Sequence, residues 1–259
     1  MVFKRLFGKP DIAAPRAWRA PEGTRIHAVG DIHGRLDLLD DLLAQIEIDN
    51  AMRPPAKTKL IFLGDLADRG PDSRGVIERL MELAKSRRDV RFIFGNHEEL
   101  LILAWQGDKR ALGLFNRVGG RETMASYGVP YHIYDAATLE ELGDIVSAAI
   151  PRAHIDFLCN FENWIVAGDY IFVHAGIRPG ASIEEQEASD LRWIRKEFTE
   201  HRGDFGRMVI HGHTIVKDVD ERVNRIGIDT GAFASGKLTA IGIEGAERWF
   251  LATGGELAP

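Results

Sequence analysis

Apolar residues in this chain follow two rhythms. Short, nearly continuous runs, Arg25-Ile26-His27-Ala28-Val29, Lys59-Leu60-Ile61-Phe62-Leu63 and Val90-Arg91-Phe92-Ile93-Phe94, each stop at a glycine and predict β-strands. Between them, Arg35 to Asn50 sets Leu36, Leu39, Leu42, Leu43 and Ile46 at helical spacing before Pro54-Pro55, and Asp72 precedes a second helical pattern over Ser73–Ala84. This βαβαβ alternation predicts a parallel sheet covered by helices. Glu98–Ala104 opens another helix, and residues 105–165 read as several more, one begun by the capping box Thr138-Leu139-Glu140-Glu141. Tyr170–Val173 and Met208–Ile210 read as strands, Ser182-Ile183-Glu184-Glu185 as a second capping box, and Leu191 to Phe198 as helical. The runs Arg225–Asp229, Leu238–Ile243 and Glu247–Leu251 predict strands of a second, more antiparallel sheet. Pro10, Pro15 and Pro21 mark residues 1–23 as an irregular lead-in, leaving 24–259 as one domain without repeats.

Composition narrows the classes. The 259 residues are 45% hydrophobic and 28% charged, the balance of a soluble globular chain with a substantial core. A net charge of −6 argues against a sequence-independent nucleic-acid binder. No apolar run approaches the roughly 20 residues of a membrane span. The start, with Lys4, Arg5 and Lys9 around Phe3, Leu6 and Phe7, lacks the apolar core of a secretory signal, so the expected location is cytoplasmic. The lone Cys159, between Leu158 and Asn160, excludes an intramolecular disulfide or a cysteine zinc site and reads as a small buried hydrophobe.

Chemistry gathers in five segments: Gly30-Asp31-Ile32-His33-Gly34, Gly64-Asp65-Leu66-Ala67-Asp68-Arg69-Gly70, Gly95-Asn96-His97-Glu98, His174-Ala175-Gly176 and His211-Gly212-His213-Thr214. Asp31, Asp65, Asn96 and His174 each follow a predicted strand, and a parallel sheet brings strand ends to one rim, where ligands bind. Mixed Asp, Asn and His suit borderline divalent ions better than calcium. Two such ions can activate water and hold both oxygens of an in-line displacement at phosphorus. The leaving oxygen then needs a general acid, and the phosphate a bidentate donor, for which arginine is best. Blander readings apply to several neighbours. Glu98 suits a helix-start charge or a partner of a ligand, His211 a structural role, and His27, His132, His154 and His201 core or surface positions.

The ordered set GDxHG, GDxxDRG, GNHE, a strand-terminal His and GH resembles the phosphoprotein phosphatase branch of the calcineurin-like metallophosphoesterases, over residues 25–245. The resemblance implies an α/β fold, a four-layer α/β/β/α sandwich. It implies that Asp31 and His33 bind one metal, that Asp65 bridges two, and that Asn96, His174 and His213 complete the second. It makes His97 the general acid, Asp68 its orienting carboxylate and Arg69 a phosphate grip. Asp190-Leu191-Arg192-Trp193-Ile194-Arg195 resembles the stretch supplying a second phosphate-binding arginine, which assigns Arg195 with Arg192 as the alternative. Gly119-Gly120-Arg121-Glu122-Thr123 with Ser126-Tyr127-Gly128 resembles a family segment near the pocket. The implied cofactors are two divalent ions, manganese foremost, with iron, zinc, cobalt or magnesium as alternatives.

The activity expected is that of a phosphomonoesterase acting on a phosphorylated protein (Ser/Thr or Tyr) or a small phosphoester, with water attacking phosphorus directly and no phosphoenzyme. Two alternatives stand beside it: a dinucleoside polyphosphate hydrolase, and a metal-bound scaffold without catalysis. Phe94 occupies the place where many family phosphatases carry arginine, a gap shared by diadenosine tetraphosphate hydrolases of the same family.

Overall fold

The computed structural model describes residues 17–254. The reading of Phe3, Leu6 and Phe7 lies outside them. Two five-stranded sheets organise the chain. The first contains β1 (Thr24–Val29), β2 (Lys57–Phe62), β3 (Val90–Phe92), β9 (Thr239–Glu244) and β10 (Glu247–Ala252), in the order β10-β9-β1-β2-β3. The second contains β4 (Trp164–Ala167), β5 (Tyr170–Val173), β6 (Met208–His211), β7 (Asp220–Glu221) and β8 (Arg225–Gly227), in the order β4-β5-β6-β8-β7. β1, β2 and β3 run parallel, as do β5, β6 and β8.

Strand periodicity accounts for the layering. Ile61 and Leu63 face an apolar layer between the sheets while Leu60 and Phe62 face outward into the helices. Tyr170 and Phe172 enter the same inter-sheet layer, and Ile171 and Val173 point the other way. Successive residues on a strand project to opposite faces, so each of these strands is apolar on both. Outside the first sheet lie α1 (Leu36–Met52), α2 (Ser73–Ser86), α3 (Asn96–Trp105), α4 (Lys109–Arg117), α5 (Gly120–Ser126), α6 (Tyr131–Ala136), α7 (Leu139–Ala149) and α8 (Arg152–Cys159). Outside the second lie α9 (Ala188–Trp193) and α10 (Lys196–Thr199), whose Leu191 and Phe198 pack on Val173 and Val209. A short α11 (Ala232–Ser235) precedes β9. The result is the expected α/β/β/α sandwich.

Four expectations change. Of the three C-terminal runs only the first, β8, joins the second sheet; β9 pairs antiparallel with β1 and β10 with β9, completing the first. Periodicity identifies a strand but not its partner, and the open edge of β1 takes β9. The helix expected over Leu191–Phe198 breaks at Ile194, whose extended backbone (ψ 143°) buries its side chain against the second sheet and separates α9 from α10. The capping box at Ser182 starts only one 3₁₀ turn, Ile183–Glu185. Cys159 is exposed, because Ile155 and Leu158 take the buried face of α8. Within the irregular lead-in, residues 17–23 carry no helix or strand but are docked, with Arg19 N donating to Asp169 (2.9 Å) and Ala20 N to Gly245 O (2.8 Å).

Candidate metal centre

The parallel strands of both sheets deliver their carboxyl ends to one rim. Asp31 follows β1, Asp65 follows β2, and Asn96 lies just past β3 at the start of α3, while His174 follows β5 and His213 follows β6. All five are buried. Donor atoms of His33, Asp65 and His97 lie within 4.8 Å of one another, and so do those of Asp65, His174 and His213. Asp65 belongs to both clusters, the placement expected of a bridging carboxylate. Asn96 Oδ1 reaches His174 Nε2 at 3.0 Å. Asp31 enters neither triad but sits against the second one, accepting His213 N on both carboxylate oxygens (3.2 and 3.0 Å).

Ring orientation is set from behind. His33 Nδ1 bonds Ala67 O at 2.8 Å and His174 Nδ1 bonds Leu63 O at 2.8 Å, which turns each Nε2 toward the centre. A backbone carbonyl on the far nitrogen is the usual way a metal-ligating imidazole is fixed. His213 Nε2 is buried with no hydrogen-bond partner among the described residues. An orphaned imidazole nitrogen costs free energy unless something binds it, and a cation beside Asp65 would do so.

The charge balance fits a cation. Burial, then the nearby Asp229, pushes the Asp31 carboxyl well above its ordinary range. Burial works the same way on Asp65, but His174 and His97 overcome it and hold that carboxyl well below. Burial opposes charge on His174 too, yet Asp65 keeps the ring up at about 10. His33 falls to about 3 and His213 to about 2, both chiefly by burial, so both are neutral and ready to ligate. Borderline divalent ions take this donor set of carboxylates, one amide and neutral imidazoles.

The backbone here is unusual. Five non-glycine residues among those described have positive φ: His33 (47°), Asp65 (51°), Asp68 (72°), Arg69 (70°) and His213 (60°). All five were singled out from sequence. Such conformations cost about 1–3 kcal/mol each and persist only where surroundings enforce them. Glu98 is one enforcer. It is fully buried and accepts Asp65 N (2.8 Å) and Gly95 N (3.0 Å) on Oε2 and Leu66 N (2.8 Å) on Oε1, tying the second motif to the third.

His97 Nδ1 bonds Asp68 Oδ2 at 2.6 Å, and Asp68 Oδ1 accepts Thr123 Oγ1 at 2.6 Å. Ser73 Oγ and Thr123 Oγ1 both lie 2.9 Å from Asp68 N. Burial lowers the proton affinity of His97, but Asp65 and Asp68 outweigh it and raise it. Arg69 Nη2 lies 3.1 Å from His97 Nε2, with its guanidinium 4.8 Å over the Phe233 ring. Arg195 is exposed, its side chain makes no hydrogen bond or ion pair among the described residues, and its charge reaches His213. The alternative, Arg192, is occupied: it bonds Glu99 (2.7 Å) and Asn163 (2.8 Å) and lies 4.1 Å over Phe94. His211 Nδ1 lies on Gly212 O (3.0 Å) and its Nε2 faces Arg225 (3.3 Å), and it belongs to neither donor cluster.

Sequence reasoning missed Asp229, buried beside Asp31 at the end of β8. Its segment Ile228-Asp229-Thr230-Gly231 repeats the apolar–Asp–Gly pattern of the other motifs and could have been flagged. Thr123 and Ser73 left no such signal, because only the fold brings them to Asp68.

Two sheets that pool carboxylates, an amide and imidazoles around a shared aspartate define a metal-dependent phosphoric ester hydrolase. The comparisons agree. The calcineurin-like phosphoesterase profile matches residues 24–228, and the chain belongs to that family. An asymmetrical bis(5'-nucleosyl)-tetraphosphatase, PrpE, from Anoxybacillus flavithermus is 28% identical over 237 residues, covering 82% of this chain and 88% of that protein. A symmetrical bis(5'-nucleosyl)-tetraphosphatase from Nitrosospira multiformis is 26% identical, covering 79% of this chain and 66% of its own length. Among solved structures, one assigned provisionally as a diadenosine tetraphosphatase has a TM-score of 0.60 at 22% identity, covering 88% of this chain and 93% of its own. A cold-active protein tyrosine phosphatase has a TM-score of 0.56 at 18% identity, covering 90% and 81%. These two share the fold. No helix among the described residues is long and apolar enough to cross a membrane.

Proposed function

We propose that the protein hydrolyses dinucleoside polyphosphates at a two-metal centre held by Asp31, His33, Asp65, Asn96, His174 and His213. The carrying observation is the sharing of Asp65 between two buried donor clusters. Bound divalent ions, with manganese the first to test, would supply Lewis acidity and a water ionised near neutral pH. The chain's own residues do the rest. Asp68, clamped by Thr123 and Ser73, fixes His97 so that Nε2 faces the centre. Arg69 Nη2 donates to the lone pair of the neutral His97 Nε2 at 3.1 Å, the Nδ1 proton being on Asp68; protonation of Nε2 ends that bond and leaves both N–H groups free for an anionic phosphate oxygen. His97 then protonates the leaving oxygen, and Arg69 and Arg195 hold the phosphoryl charge.

Support for the dinucleotide class over a phosphoprotein comes from two directions. The relatives carry the name tetraphosphatase. Phe94 and Glu99 also hold Arg192, so among the arginines near the centre Arg69 and Arg195 remain for phosphate. The phosphoprotein reading stands second, resting on the motif resemblance. A panel of diadenosine tetraphosphate, phosphopeptides and p-nitrophenyl phosphate, run with Mn, Co, Zn and Mg, separates them. Asp65→Asn and His97→Ala should each abolish metal-dependent p-nitrophenyl phosphate hydrolysis; retained activity in both would refute the assigned roles.

A further inference from the structure

Beside the metal centre lies a cleft of about 540 Å³, lined by Arg69, Asn116, Arg117, Arg121, Glu122 and Phe233, among others. That volume falls within the roughly 300–1,000 Å³ of small-molecule sites. Three arginines and one glutamate are among its lining residues. The arginines are not equivalent. Arg69 is shared with His97. Arg121 is held by Asp135 through two bonds of 2.7 Å and lies 3.9 Å over the Tyr131 ring. Arg117 is exposed, donates Nε only to Gly113 O of its own helix (3.1 Å), and has no carboxylate partner among the described residues. Phe233 forms an aromatic wall, edge-on to His33 with centroids 5.5 Å apart.

The cleft is locked to the reacting end of the site. Gly119 O accepts Arg69 N at 3.2 Å. Gly119 has φ +115°, and a Cβ there would stand 2.4 Å from Arg69 N, so only glycine allows this approach. The glycine pair noted in sequence thus has a physical purpose: it places the Arg117–Arg121 loop directly against the phosphate-gripping arginine.

Direction follows from the acid. The leaving oxygen must come within hydrogen-bond reach of His97 Nε2. Asp65 lies 3.9 Å from that nitrogen on the side of the metal centre, and its other neighbour, Arg69 at 3.1 Å, lines the cleft. In hydrolysis the water oxygen bonds to phosphorus, the bond from phosphorus to the leaving oxygen breaks, and that oxygen keeps the electron pair and takes the His97 proton. Whatever is attached to it extends toward Arg117.

We propose that this cleft is a leaving-group subsite for a phosphorylated leaving group, a nucleoside polyphosphate, with Arg117 as the residue that selects it over an uncharged alcohol. An uncharged alcohol, such as a serine side chain, gains little from these guanidiniums, whereas a polyphosphate gains charge-assisted bonds. The proposal rests on the reading of the site given above, and its test separates the two.

The ratio of kcat/KM for diadenosine tetraphosphate to that for p-nitrophenyl phosphate is measured for wild type, Arg117→Glu and Arg202→Glu. The last makes the same charge change on an arginine lining a different cavity. Alongside, inorganic tripolyphosphate and orthophosphate are titrated as inhibitors of p-nitrophenyl phosphate hydrolysis. Arg117→Glu should lower the ratio roughly tenfold or more, the scale of one charge-assisted bond, and weaken tripolyphosphate inhibition far more than orthophosphate inhibition. Arg202→Glu should do neither. If diadenosine tetraphosphate is not cleaved but Arg117→Glu still weakens tripolyphosphate selectively, the subsite holds and the dinucleotide reading falls. If the dinucleotide is cleaved and the ratio is the same in Arg117→Glu as in Arg202→Glu, the subsite is refuted and the reading survives.

Discussion

Glu98 offers the sharpest test of how the metal centre is held in shape. Its carboxylate receives three buried backbone N–H groups, from Asp65, Leu66 and Gly95, at 2.8–3.0 Å. Glu98→Gln keeps the shape. The new carbonyl oxygen can take the Oε2 position and still accept Asp65 N and Gly95 N, but the amide NH₂ then faces Leu66 N, donor against donor. One buried donor is orphaned, at about 1–3 kcal/mol, and two charge-assisted bonds become neutral ones. Burial, then the Asp65 charge, raises the Glu98 carboxyl to about 7, so the measurement belongs at pH 8, where the wild type is ionised. Urea unfolding in EDTA isolates the hydrogen-bond web from any lost metal. The expected loss is about 2–3 kcal/mol, with a fall in kcat when metal is restored, since Asp65 would no longer be held at φ 51°. The opposing force is real: a buried charge carries a desolvation cost that a neutral amide avoids. Equal or higher stability of Glu98→Gln in chelator, with unchanged kcat, would show that this cost wins and that the clamp argument is wrong.

Three other outcomes are expected. Gly119→Ala puts a methyl 2.4 Å from Arg69 N at φ +115°, and should cost about 1–3 kcal/mol by thermal or urea unfolding and raise KM for p-nitrophenyl phosphate as Arg69 shifts. Removing metal with EDTA should lower Tm, because binding to the native state alone stabilises it; an unchanged Tm at saturating Mn would contradict a preformed buried site. His27 is buried against Asp49, and burial lowers its proton affinity below the ordinary value of 6.5. The unfolded chain therefore binds this proton more readily, so the contribution of His27 to stability is complete above about pH 6.5 and is lost as pH falls toward the depressed folded value. Wild-type stability should decline from pH 7 to 5, and His27→Gln should flatten that slope.

What the sequence made legible was whatever is local or periodic. Short apolar runs located β1, β2, β5 and β6 within one or two residues, and with them Asp31, Asp65 and His174. Pairing was not legible. β9 beside β1, and the clamp of Thr123 on Asp68 across 55 residues, depend on contacts that no short window contains. The choice between Arg192 and Arg195 became physical only when Glu99, Asn163 and Phe94 were seen to hold the former. Phe94 itself was noticed as a missing arginine; the structure shows it as the face that Arg192 covers.

The division of ligands between the sheets also sets an order of assembly. His33, Asp65 and His97 all come from the first part of the chain, so one cluster is complete in principle once α3 has been made. The other needs His174 and His213, and therefore waits for β5 and β6 to dock across the inter-sheet layer. A chain emerging from the ribosome can gather the donors of the first cluster early, but the second donor cluster closes only after the second sheet is in place. On the two-metal reading proposed above, a chain whose second sheet has not docked lacks the donors of the second cluster and should not hydrolyse phosphoesters.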